Sequence, residues 1–146
     1  MRRSGKVHVL VPIGILCAIG LVGASIFLQG SDSPTKCLTE FMNALGRGDV
    51  DGVMRTSTYG DEPREELRKK WELCFHRAEY YRFTWRIAGV FTPTPEDAVI
   101  AVDVYRNVGF KGASEQRVQV PVTQIDGKWY VDAESLDRNL FPALPR

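Results

Sequence analysis

The stretch Tyr80–Phe91, YYRFTWRIAGVF, decides the fold, because its apolar residues are spaced differently from those that precede it. Tyr81, Phe83, Trp85 and Ile87 alternate with Arg82, Thr84, Arg86 and Ala88, the pattern of a half-buried strand. Upstream the spacing is helical. In PTKCLTEFMNALGRG, from Pro34 to Gly48, the residues Leu38, Phe41, Met42 and Leu45 recur at three- and four-residue intervals. Ser33-Pro34 provides a helix start there, and Gly46 and Gly48 a stop. Asp49 can cap a short second helix presenting Val50, Val53 and Met54. A third helix is expected from Pro63, with Leu67, Trp71, Cys74, Phe75 and Ala78 on one stripe and the pairs Glu65–Lys69 and Glu66–Lys70 on the solvent side.

Downstream of the deciding stretch, TPTPED is a turn, Ala98–Asn107 a second strand, VGFKGA a glycine-bearing loop and Gln116–Ile125 a third strand. Asp126-Gly127 is a hairpin signal into a fourth strand that contains Trp129. Three helices followed by a four-stranded antiparallel meander define an α+β domain whose sheet lays one face on the helices.

Charge is unevenly distributed. The first thirty residues hold Arg2, Arg3 and Lys6 as their only formal charges, which leaves 16 basic against 18 acidic side chains for the remainder. A domain so near neutrality lacks the clustered basic excess of a nucleic-acid-binding protein. Residues 7–28, VHVLVPIGILCAIGLVGASIFL, form a run of 22 with His8 and Ser25 as the clearly polar members. As a helix such a run measures about 33 Å, enough for a hydrocarbon core of about 30 Å. Residues 1–6 are therefore expected as a cytoplasmic basic stub, 7–28 as a single-pass anchor and 29–33 as a linker. The domain, 34–136, and a tail, 137–146, would then lie outside the cytoplasm. The alternative is a signal peptide cleaved after Val22-Gly23-Ala24, followed by secretion; the apolar run is longer than an ordinary signal h-region and continues past Ala24.

Of the three cysteines, Cys17 falls in the apolar run, and Cys37 and Cys74 fall in the domain. In an oxidising compartment the latter two are expected to form a disulfide, closing a loop of about 38 residues and stabilising the fold by about 4 kcal/mol. Cys37, Cys74 and His76 match no standard zinc spacing, so neither a metal nor any other cofactor is expected.

The helix phrase FMNALGRGDVDGVM and the late turn phrase DGKWYVDAES, in this element order, resemble the nuclear-transport-factor-like superfamily, the cystatin-like α+β cone. The similarity is greatest to small exported or membrane-anchored bacterial members of unknown function, the lumazine-binding-like domains, and spans about Pro34 to Leu136. It implies a strongly curved sheet enclosing a pocket. It also implies no single activity, because the superfamily includes isomerases, dehydratases and protein-binding adaptors.

Strand parity addresses the enzyme alternative. The inward residues are Tyr81, Phe83, Trp85 and Ile87; Ile100, Val102 and Val104; Val118, Val120 and Val122; Trp129, Val131 and Ala133. None is acidic, whereas an isomerase or dehydratase of this fold works with an inward carboxylate or histidine. Asp103 and Asp132 face outward, where a cross-strand pair with Arg82 or Arg86 is expected. Tyr81, Phe83, Trp85 and Trp129 are the candidate lining of an apolar pocket, although Trp129 reads first as core. Phe110 and Lys111, in the loop, are candidate partner contacts. The reading that results is a membrane-anchored, extracytoplasmic, non-enzymatic domain that binds a protein or an apolar small molecule. An isomerase-like enzyme and a structural homodimerisation module are the alternatives.

Overall fold

The computed structural model describes residues 32–106 and 114–145. Both the predicted membrane span, 7–28, and the candidate contacts Phe110 and Lys111 lie outside the described residues. Among the described residues no helix is long and apolar enough to cross a membrane.

Helix α1, Pro34–Arg47, begins where expected. Ser33 accepts a hydrogen bond from the Lys36 amide, proline occupies the first turn, and Gly48 closes the helix in the left-handed region at φ 69°. Helix α2, Val50–Thr56, is capped by Asp49, which accepts from the Gly52 amide at 2.9 Å. A Cβ on Gly52 would lie 2.6 Å from the Ala44 side chain, so this glycine permits α2 to press against α1. Helix α3, Arg64–Arg77, buries Leu67, Trp71 and Cys74. Its surface ion pairs differ from the expected ones: Lys69 bonds Glu66 at 2.8 Å, and Lys70 reaches back before the helix to Glu62 at 2.6 Å.

The sheet contains β1 (Ser57–Thr58), β2 (Phe83–Phe91), β3 (Asp97–Arg106), β4 (Ser114–Ile125) and β5 (Lys128–Asp132), in the order β1-β5-β4-β3-β2. The expected antiparallel meander is β2 to β5. The expected total of four strands is corrected to five, since β1 adds a parallel pairing to β5 through Ser57–Val131 and Thr58–Asp132 and makes the sheet mixed. Two residues are too few to carry a period, which is why β1 has no sequence signal. Asp126 and Gly127 have φ values of 51° and 79°, as the two-residue hairpin turn requires.

The expected inward residues of β3 and β4 are all buried, as are Trp129, Val131 and Ala133. They meet Leu38, Phe41, Met42 and Leu45 of α1, Val53 and Met54 of α2, and Trp71 of α3 in one core. That core also takes in Leu140, Phe141 and Leu144 from beyond the last strand. Phe141 packs edge-on against Phe75, Tyr81 and Phe83 at centroid distances of 6.1, 5.1 and 5.9 Å.

The expected disulfide is overturned. Cys37 and Cys74 are both free and buried. The Cys37 thiol donates to the Trp129 carbonyl at 3.1 Å, against β5, whereas the Cys74 thiol donates to the Pro142 carbonyl at 3.5 Å, against the tail. Each sulfur thus has its own partner on a different element. The α1–α3 contact rests on the edge-to-face pair Phe41–Trp71, with centroids 6.0 Å apart.

Candidate functional site

The concave face of the sheet is closed in the middle and opens at one edge. Every inward residue of β3 and β4 from Ile100 to Val104 and from Val118 to Val122 is buried, but Tyr81, Phe83, Trp85 and Ile87 all remain partly exposed while packing against the core. The cause is topological. β2 is the edge strand, and the helices make most of their contact with the other end of the sheet, α1 lying chiefly against β5. Gly46, at the end of α1, approaches Phe83, and a Cβ there would lie 3.9 Å from the Phe83 ring.

The structure brings together two of the four candidate pocket residues. Tyr81 and Phe83 have ring centroids 5.8 Å apart and share Phe141 as a neighbour. Trp85 follows on the same face, paired across to Val104. Trp129 is on β5, three strands away, or about 14 Å at the usual strand spacing, and belongs to the closed part of the core. Tyr81 also borders a cleft of about 430 Å³ between the ends of α1 and α3, shared with Leu45, Phe75 and Phe141.

Two polar groups accompany this apolar row. Among the described residues the Tyr81 hydroxyl and the Arg106 Nε are buried without a hydrogen-bond partner, and the Arg106 guanidinium lies 5.8 Å from the Tyr81 ring centroid. The two groups are neighbours, yet no hydrogen bond of acceptable geometry joins them. Burial raises the Tyr81 hydroxyl pKa above its ordinary value, with the nearby Arg106 charge acting in opposition. An unpartnered buried donor costs free energy unless something else meets it, so this pair is suited to orienting an acceptor on a bound molecule. Arg106 continues the inward parity of Ile100, Val102 and Val104 by one step; the signal that identifies it is that same alternation.

The carboxylates lie elsewhere. Asp103 is on the opposite, convex face and is only 1% exposed, covered by the guanidinium groups of Arg86 and Arg117. The expected partner Arg86 bonds it at 2.8 Å, and Arg117 adds bonds at 2.7 and 3.1 Å; Arg82 instead donates to the carbonyls of Glu79 and Tyr81. Hydrogen bonds from Arg117 and then Arg86 pull the Asp103 carboxyl down to a pKa of about 2. Because the folded value lies below the ordinary 3.8, the stabilisation is complete above pH 3.8 and is lost as pH falls toward 2. Urea midpoints measured from pH 5 to pH 2 should therefore show an acid limb that Asp103→Asn makes shallower. Asp132 turns outward too, accepting from the Glu134 and Ser135 amides and from the Ser135 hydroxyl. His76 is exposed in the last turn of α3. Among the described residues no three histidine, cysteine or acidic side chains converge as a metal site would require.

No protein-family model matches the sequence, and no curated protein matches it significantly. Solved structures do match. One described as a calcium/calmodulin-dependent protein kinase type II association domain, from Thiobacillus denitrificans, aligns with a TM-score of 0.54 at 13% identity over 69% of this chain and 90% of that one. A domain of unknown function with a cystatin-like fold, from Nostoc punctiforme, aligns with a TM-score of 0.50 at 17% identity over 66% of this chain and 69% of that one. An NTF-2-like protein of unknown function from Shewanella oneidensis gives 0.49 at 14% identity, over 66% and 89% of the two chains. At these identities the likeness is one of fold. The chain has a cystatin-like α+β fold.

Proposed function

We propose that this chain is a binding domain whose ligand lies on the open, β2 side of the concave face. The ligand is an apolar molecule carrying one acceptor or anionic group. The observation that carries this reading is the partly exposed row Tyr81, Phe83, Trp85 and Ile87 beside the buried donors of Tyr81 and Arg106, which have no hydrogen-bond partner among the described residues. An apolar lining with a few convergent polar groups is the usual character of a small-molecule site. Proton transfer would call for a carboxylate or imidazole on that face, and the described inward strand residues include neither. The 22-residue apolar run behind Arg2, Arg3 and Lys6 supports display of the domain outside the cytoplasm on a single-pass anchor.

Anilinonaphthalene sulfonate, an apolar body with one anionic group, is a suitable probe, titrated against a chain begun at Asp32, where the compact unit starts. Saturable binding of one dye is expected. Arg106→Leu should weaken the sulfonate dye by about tenfold and leave a neutral apolar dye nearly unchanged, in keeping with the loss of one charge-assisted hydrogen bond. Trp85→Ala should weaken both dyes. Dye binding that is unsaturable, or indifferent to both substitutions, would refute the assignment.

A further inference from the structure

The sheet ends on two edges that differ in kind. β1, two residues long, is the edge beside β5, and so short a strand offers no template for pairing. β2 forms the other edge with nine residues, Phe83–Phe91. Ala88 is an extra residue between the pairs Ile87–Val102 and Gly89–Ala101, a β-bulge that shifts the parity of everything after it, so that Phe91 faces outward opposite Val99. The regular part of the edge is therefore Phe83–Ile87. It contains no proline, lysine or bulge, the devices that ordinarily keep a strand edge from pairing. Every second residue of it turns its N–H and C=O away from β3. Among the described residues no backbone group outside the β2–β3 ladder bonds to them.

The side chains along this edge define what would pair with it. Register places Arg117 of β4, Asp103 of β3 and Arg86 of β2 in one row across the convex face. The row reads positive, negative, positive, and it stops on the edge strand with one positive charge in excess. Arg117 gives Asp103 both Nε and Nη2, whereas Arg86 gives it Nη2 alone and is 66% exposed. The other N–H groups of Arg86 meet no acceptor among the described residues, and one strand further out the position opposite them suits a carboxylate. The neighbouring rows end differently. On the concave side Ile87 continues the row of Val118 and Val102, and Trp85 the row of Val104, and both are partly exposed where the sheet stops.

We propose that the β2 edge, over Phe83–Ile87, accepts an extended segment of a protein partner as a further strand, with an acidic residue opposite Arg86 and apolar residues opposite Trp85 and Ile87. In strand addition of this kind the main-chain hydrogen bonds supply the affinity and the alternate side chains the specificity. The acid extends the charged row by the sign it lacks, and the apolar residues cover the margins of Trp85 and Ile87 that the sheet leaves open. The bulge at Ala88 sets the far limit of the pairing, because beyond it the spacing of the edge groups is broken. The buried donors of Tyr81 and Arg106 take no part, so this pairing and the concave ligand site fail separately.

Amide exchange of the full-length chain, purified with detergent and read residue by residue by NMR, tests the pairing. The probe is a peptide of alternating valine and glutamate, about seven residues long, blocked at both ends and used at about 1 mM. Alternate amides within Phe83–Ile87, those turned away from β3, should slow by about tenfold near saturation, while the amides already bonded to β3 change little. The same peptide with every nitrogen methylated keeps its side chains and loses its donors, and it should have no effect. Lysine in place of glutamate should abolish the slowing as well. Arg86→Gln should weaken the glutamate peptide by about threefold, the share of an exposed ion pair, and leave a valine–glutamine peptide unchanged. Its thermal midpoint should stay near that of the parent, since Arg117 still covers Asp103. No slowing at the edge, equal slowing by the methylated or the lysine peptide, or indifference to Arg86→Gln would each overturn the proposal. Edge amides that are slow without peptide and quicken on dilution would overturn it too, by showing a second copy in the partner's place.

Discussion

Phe141→Ala is expected to cost about 3 to 5 kcal/mol, the usual loss for emptying an aromatic core position. Phe141 is 4% exposed, although it follows the last strand by nine residues, in a segment with no regular secondary structure. Its ring makes three edge-on contacts, each worth about 0.5 to 1.5 kcal/mol beyond burial alone. Those contacts join α3, through Phe75, to the start of β2, through Tyr81 and Phe83. Removing the ring opens a cavity where the helix layer, the sheet edge and the tail meet. Domains of this size have total stabilities of about 5 to 15 kcal/mol, so the variant should have lost a large share of its stability. Urea unfolding followed by tryptophan fluorescence reads this directly. Trp85→Ala is the control, a larger side chain that is only partly buried and should cost less. A Phe141→Ala midpoint equal to that of the parent would show that the tail is not part of the core.

Thiol reactivity should be nearly abolished by folding. Burial pushes the Cys37 thiol up to about 12, with the negative charge of Asp32 adding to the effect, and burial pushes Cys74 up to about 12 as well. Measured from the ordinary value of 9.0, three pKa units reduce the thiolate, the reactive species, by about a thousandfold. Alkylation of both residues in the native chain should accordingly wait on unfolding. In denaturant without reductant, all three cysteines, Cys17 included, should react. A single reactive thiol under those conditions would restore the disulfide.

What was legible in the sequence and what was not divide along physical lines. The switch of period, the Ser33-Pro34 start and the Asp126-Gly127 turn are local signals; the start and the turn occur where they were expected, and the strand begins at Phe83, two residues after Tyr81. Alternation likewise assigned the strand faces correctly from Ile100 to Val104 and from Val118 to Val122. Its reach ends at Ile87, where the backbone adds a residue without changing composition. Ala88 looks like any other strand residue, yet it turns Phe91 from the concave face to the convex one. The two-residue β1 has no period to read. The fate of the cysteines depends on the direction of two Cβ atoms on separate helices, a matter of a fraction of a helical turn that apolar spacing does not resolve. The tail has apolar residues in a proline-broken context, and only contacts with Phe75, Tyr81 and Phe83, far away in sequence, reveal it as core.

At the candidate site the aromatic row was legible and its polar companion was not. Tyr81, Phe83 and Trp85 follow from alternation alone, but Trp129 shares their parity without sharing their location, because parity assigns a face and leaves position across the sheet open. Arg106 is the converse case. Its parity is inward, yet a strand-end arginine is ordinarily assigned to solvent, and its place beside Tyr81 emerges only from the folded chain. Asp103 also means more than its parity suggested. It does face outward, but under two arginines, which makes it part of the convex face's structure and not a free surface acid.

The indole N–H resonances of the chain begun at Asp32 test the ligand site most directly, because its three tryptophans occupy three different settings. Trp71 is fully buried between α1 and α3, Trp129 is buried in the closed part of the core, and Trp85 is partly exposed on the open row. Titration with anilinonaphthalene sulfonate should shift the Trp85 resonance progressively to saturation and leave Trp71 and Trp129 nearly fixed, with the Trp85 shift weakened in Arg106→Leu. Saturable binding that leaves Trp85 unmoved would contradict a ligand site on the concave face beside β2.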